Sequence, residues 1–163
     1  MSMIREKILS YLEKNSRVGI DELAVILGED EIIVANEIKA MEEENIIVGF
    51  HTLINWDKTN IEQVTGLIEV SCTPQRGQGF DSIAERIYNY PEVKAVYLIS
   101  GSFDLLITIE GKSLREVAMF VSEKLSPMDS ITGTKTNFIL KKYKDHGTVM
   151  VGRKKDERML MTP

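Results

Sequence analysis

Apolar residues change their spacing once along this chain, near Asn45, and that change limits the fold more than any other feature. Before it, apolar side chains recur every three or four residues, as on helices with one buried face. After it they come in short alternating or β-branched runs bounded by Gly and Pro. A helical part followed by a mixed part places the chain in the α+β class. At 163 residues there is room for two small units of this kind.

The first sixty residues read as three helices. "MIREKILSYLEKN" puts Ile4, Ile8, Tyr11 and Leu12 on one face, and "IDELAVIL" turns Leu23, Ala24 and Leu27 inward with Asp21 as its N-cap. Gly28 allows a sharp turn, and a third helix follows with Val34, Ile38 and Met41 as its buried stripe. A short helix, a Gly-containing turn and a second helix make a helix-turn-helix, although many small helical bundles share that pattern. "IIVGFHTLINW" reads as a strand or ribbon leaving this part, and "DKTNIEQ" as the hinge that closes a first domain at residue 60.

Residues 61–145 give the order strand, helix, strand, strand, helix, strand. "VTGLIEVSCT" is the first strand. "FDSIAERIYNY" is an amphipathic helix with Phe80, Ile83, Ala84 and Ile87 inward. "VKAVYLI" and "DLLITIE" are strands joined by "SGSF". "SLREVAMFVSEKL" is a helix opened by a capping box of Ser113 and Glu116, and "TGTKTNFILKKY" is the last strand. Two helices on one face of a four-stranded antiparallel sheet is the ferredoxin-like split βαβ arrangement. In the tail, residues 146–163, the apolar runs "TVMV" and "RMLM" flank "GRKKDE" and are expected to form an extra hairpin or to dock on a neighbouring subunit. Arg153–Lys155 with Arg158 reads as a solvated turn or a phosphate contact.

Composition narrows the chemistry. No apolar run approaches the ~18 residues that span a bilayer, and the N-terminus lacks a basic-then-apolar leader, so no membrane role is expected. The lone Cys72 suits a reducing cytoplasm and reads as a small buried apolar residue. His51 and His146 have no partners at metal-ligand spacing, and no nucleophile–base motif is visible, so neither cofactor nor enzymatic activity is expected. Charge is uneven. Residues 1–60 hold six Lys/Arg against twelve Asp/Glu, net −6, whereas residues 61–163 are net +1. An acidic first half opposes long-range attraction to phosphate.

Three stretches carry a resemblance. "LAVILGEDEIIVANEIKAMEEENIIVGF", "VYLISGSFDLLITIEG" and "ITGTKTNFIL", in this order, resemble the helix-turn-helix, the Gly-x-x-Asp turn between two strands and the last-strand opening of the Lrp/AsnC family of amino-acid-responsive transcription regulators. The likeness runs over roughly residues 3–145. It implies an N-terminal domain binding double-stranded DNA and a C-terminal effector domain. It also implies homodimers assembling to octamers, with a free amino acid bound where second domains of neighbouring dimers meet. Carried over by position, the effector site comprises Leu98, Ser100, Gly101, Ser102, Phe103 and Asp104, with Thr134, Thr136 and Asn137 from the last strand. The chemistry agrees: Asp104 suits an ammonium, while turn N–H groups and hydroxyls suit a carboxylate. Read without the resemblance, Gly101 and Asp104 are equally a hairpin turn and its cap.

On a wheel of the third helix, Ile32, Asn36 and Lys39 lie opposite the buried stripe and Ala35 borders them, while Glu31, Glu37, Glu42 and Glu44 fall on the flanks. Ile32 and Ala35 suit thymine methyls, Asn36 suits adenine, and Lys39 suits a phosphate. Arg5, Lys7, Lys14 and Arg17 are the candidate backbone contacts. The same face also reads as the solvated side of a packing helix. Where relatives commonly carry Arg or Lys, this chain has Asn36, Glu37, Ala40 and Val48, so weak binding by one dimer is expected. Two rival functions remain: an amino-acid-sensing oligomer acting through a protein partner, and a haem-precursor decarboxylase-like enzyme. For the second, "SGSFD" stands where a His/Tyr/Arg-rich turn is expected.

Overall fold

The computed structural model describes residues 2–73 and 79–151. The chain forms two compact units, Met1–Ile54 and Asn55–Pro163. The division falls ahead of the "DKTNIEQ" stretch. Trp56–Lys58 form a 3₁₀ turn, and the Asn55 side-chain amide donates to the Met150 carbonyl (2.8 Å), which ties this stretch to the second unit.

The first unit comprises α1 (Met3–Leu12), α2 (Ile20–Leu27) and α3 (Glu31–Glu43). Its core is Ile8, Leu23, Ala24, Val34 and Met41, with Ile4, Leu9, Leu12, Leu27 and Ile38 packed against it. Tyr11 is not part of it. The buried arc of α1 runs from Ile4 through Ile8 to Leu12 and Leu9, and Tyr11 is 44% exposed. Asp21 is not the N-cap of α2. The helix begins at Ile20 with Gly19 as cap, so Asp21 sits within the first turn, where its charge complements the helix dipole without a capping hydrogen bond. Gly28 ends α2 in the left-handed region (φ 69°), and Glu29 N–H donates back to the Ala24 carbonyl (3.0 Å) in a Schellman closure. Asp30 caps α3, its carboxylate accepting from Ile32 N–H (2.7 Å). Residues 46–55 form no strand, contrary to the ribbon expected from their β-branched composition. The segment has no second strand to pair with in its own chain, and composition alone does not supply a ladder.

The second unit contains β1 (Val64–Cys72), α4 (Asp81–Tyr88), β2 (Val93–Leu98), β3 (Leu105–Gly111), α5 (Leu114–Phe120), β4 (Ile131–Phe138) and a small hairpin of β5 (Lys144–Asp145) and β6 (Thr148–Val149). The main sheet has the order β2-β3-β1-β4 with every neighbour antiparallel, as the split βαβ pattern requires. Ile68, Val70, Leu105, Ile107 and Ile109 point to the helix side, where Ile83, Ile87, Val117 and Phe120 cover them. Gly66 admits α5 closely, since a Cβ there would stand 2.8 Å from Val117 Cγ1. Ser113 caps α5 as expected (Glu116 N–H to Oγ, 3.2 Å), but the Glu116 carboxylate reaches the Lys112 N–H (2.7 Å), not the Ser113 N–H. The helix then widens into a π turn over Val121–Leu125, with Ser126 N–H bonded to the Val121 carbonyl (2.8 Å). The expected extra hairpin exists, but Thr148–Val149 pair with Lys144–Asp145 around His146–Gly147. "RMLM" and the Arg153–Lys155 cluster with Arg158 lie outside the described residues.

Candidate effector turn and DNA-facing surface

In the second unit, β2 and β3 are joined by a turn at one end of the sheet. Leu98 pairs with Leu105, Leu105 with Val70, and Val70 with Thr134, so four strands bring these residues into one row beside the turn. Asp104 joins the turn to β1 twice: its N–H donates to the Val70 carbonyl (3.0 Å), and its Oδ2 accepts from the Cys72 N–H (2.8 Å). The carboxylate therefore ends a neighbouring strand rather than capping its own hairpin. Burial first, and the adjacent Asp104 charge second, push the Cys72 thiol upward.

Gly101 is not demanded by the turn. Its backbone is outside the left-handed region, and a Cβ would meet only Ile99 Cγ2 at an ordinary 3.4 Å. Ser100, Gly101 and Ser102 are exposed, Phe103 and Asp104 are half-buried, and Leu98 is 62% exposed at the edge strand. N–H groups, hydroxyls and one carboxylate thus stand at the surface beside apolar contacts.

The last strand divides its three candidates. Thr134 and Thr136 pair with the core-facing Val70 and Ile68, and Thr134 is the nearer to the turn. Asn137 alternates to the other face, where its side-chain amide donates to Glu69 Oε1 (2.9 Å) and Lys135 also reaches that oxygen (3.4 Å). One site on one face of the sheet does not gather Asn137 with the two threonines. Glu69, overlooked in the sequence, is the acid that breaks the apolar run of "LIEVSC".

In the first unit, α3 presents Ile32 (70% exposed), Asn36 and Lys39 outward, with Ala35 half-buried beside them. Lys39 makes a loose i,i+4 pair with Glu43 (3.8 Å). Lys7, Lys14 and Arg17 are exposed. Arg5 is not available to a phosphate. Its Nε bonds Glu37 (2.5 Å) and its Nη1 bonds Glu44 (2.8 Å), which raises the guanidinium pKa further and holds the Glu44 carboxyl below its usual range. The wheel placed Glu37 and Glu44 on one flank of α3, and Arg5 from α1 occupies that flank. Val25, on α2, is 82% exposed.

Among the described residues no helix is long and apolar enough to cross a membrane, and no group of three His, Cys, Asp or Glu side chains could hold a metal ion.

The family model of the Lrp/AsnC ligand binding domain matches residues 65–149. Over 162 residues the chain is 44% identical to the HTH-type transcriptional regulator YugG of Bacillus subtilis (strain 168), covering 96% of this chain and 95% of that protein. The HTH-type transcriptional regulator LrpA of Pyrococcus abyssi is 31% identical over 141 residues, 86% of this chain and 97% of its own. A crystal structure of a Neisseria meningitidis transcriptional regulator in complex with L-Met shares the fold, with a TM-score of 0.72 at 20% identity over 91% of this chain and 96% of that one. These relatives are transcription regulators, not enzymes. Helix-turn-helix unit, ferredoxin-like domain and full-length relatives agree: the chain belongs to the Lrp/AsnC family of DNA-binding, effector-responsive transcription regulators.

Proposed function

We propose that this regulator senses a free amino acid at the turn between β2 and β3 and binds double-stranded DNA through α3. The observation that carries the first half is the bonding of Asp104. One carboxylate oxygen holds the Cys72 N–H, and Oδ1 has no protein donor among the described residues. That oxygen suits the effector's ammonium, with Ser100, Ser102 and Thr134 hydroxyls and turn N–H groups for its carboxylate. L-Met in the Neisseria relative puts amino acids first among candidates. Calorimetry of the protein and of Asp104→Asn against the common amino acids is the test. Asn keeps an acceptor for Cys72 but loses the charge. Saturable heat in the wild type and none in the variant is expected, and equal heats from both would remove the site.

DNA contact rests on Ile32, Ala35, Asn36 and Lys39, with Lys7, Lys14 and Arg17 at the backbone. With Arg5 withdrawn, a single unit binds weakly, and several units of a homodimer or octamer must engage together. The helix-free face of the sheet supports such assembly, because Leu67, Leu106 and Tyr97 alternate to it and lack a covering layer in this chain. Exposed Val25 and Ile32 also favour a second reading, in which the sensing oligomer meets a protein partner at this surface. Gel shifts on the protein's own promoter at low salt, with and without the bound amino acid, separate the two. A shift lost in Lys39→Ala supports DNA, and no shift under any condition supports the partner.

A further inference from the structure

At the far end of β3 from the effector turn, a groove of about 310 Å³ opens between that strand and α5. Ile109, Met119 and Phe120 form its apolar lining, and Glu92, Glu110, Glu116 and Glu123 contribute the acid. Little of this charge is neutralised. Lys124 pairs with Glu92 and sits over the Tyr90 and Phe120 rings, while Lys94 lies 3.8 Å from Glu110. Glu92 Oε2 is buried with no donor, and Glu123 has no ion-pair partner among the described residues.

The sequence just beyond the described chain has the complementary character. Residues 152–163, "GRKKDERMLMTP", carry Arg153, Lys154, Lys155 and Arg158 against Asp156 and Glu157, followed by Met159, Leu160 and Met161. The point where this segment departs is also fixed. The Met150 carbonyl accepts from the Asn55 side chain, and Met150 N–H donates to Tyr143. Trp56, next to Asn55, shares a cavity with Lys112 and Ser113. Gly111 and Glu116, on either side of that pair, line the acidic groove. At roughly 3.4 Å per extended residue, four residues past Val151 carry the chain about 14 Å and nine carry it about 31 Å.

We propose that residues 153–161 of the same chain dock in this groove, with Lys155 and its basic neighbours against Glu116 and Glu123 and the Met-Leu-Met run on Met119 and Phe120. Flexible methionines suit such a shallow apolar lining. The full-length protein tests this by trypsin cleavage after Arg158 and by the Met119 methyl resonance. Glu123→Lys should speed cleavage roughly fivefold, because cleavage follows the population of the open form. It should also shift the Met119 signal. Adding Lys155→Glu to Glu123→Lys should restore slow cleavage. Equal rates in all three proteins would overturn the proposal, as would an unmoved Met119 resonance. Protection that rises with protein concentration would place another copy's segment in the groove and overturn the intramolecular assignment.

Discussion

Arg5 bridges α1 to two glutamates of the α3 region, and Asp104 bridges a turn to the end of β1. Arg5→Met should lower the melting temperature at neutral pH. Glu44 is held below its ordinary pKa, so its contribution is complete above the usual carboxylate range and is lost as pH falls through the folded value. Calorimetric melts of wild type and variant should therefore converge in acid. At Asp104, Ala strands the Cys72 N–H and should cost about 1–3 kcal/mol, whereas Asn should cost less, as urea unfolding would show. Neither bridge was legible from sequence. Helical spacing placed Glu37 and Glu44 on one flank, but which cation from another helix meets them depends on packing. Alternation likewise puts Thr134 and Thr136 opposite Asn137, a constraint that position-by-position transfer from relatives had overlooked.

At the scale of elements, local chemistry was the better guide. Pro, Gly and the change of period marked most helices and strands, and the buried stripes of α2 and α3 follow directly from 3.6-residue spacing. Gly28 shows why. Its φ of 69° is costly for any residue with a Cβ, so Gly28→Ala should destabilise the first unit by roughly 1–2 kcal/mol in denaturant melts. Failures came where an element needs a partner the sequence does not name. Residues 46–55 have strand composition but no ladder, and Thr148–Val149 pair with Lys144–Asp145 although the residues resemble any short apolar run.

For the whole molecule, charge and assembly act against each other. The acidic first part weakens each DNA encounter, so occupancy should depend on assembly more than in a basic relative. If Lys39 reaches a phosphate, Lys39→Ala should reduce the slope of log affinity against log salt by about 1 per engaged unit, measured by fluorescence anisotropy. Replacing Leu106 by Glu on the helix-free sheet face should lower the mass seen by light scattering and weaken DNA binding with it. The Asp104 bond to Cys72 carries one more consequence. An ammonium arriving at the second carboxylate oxygen draws electron density from the first, so the Cys72 amide hydrogen becomes a resident gauge of occupancy. Its exchange with deuterated solvent should quicken when the effector binds, reporting from the middle of the fold without any label attached.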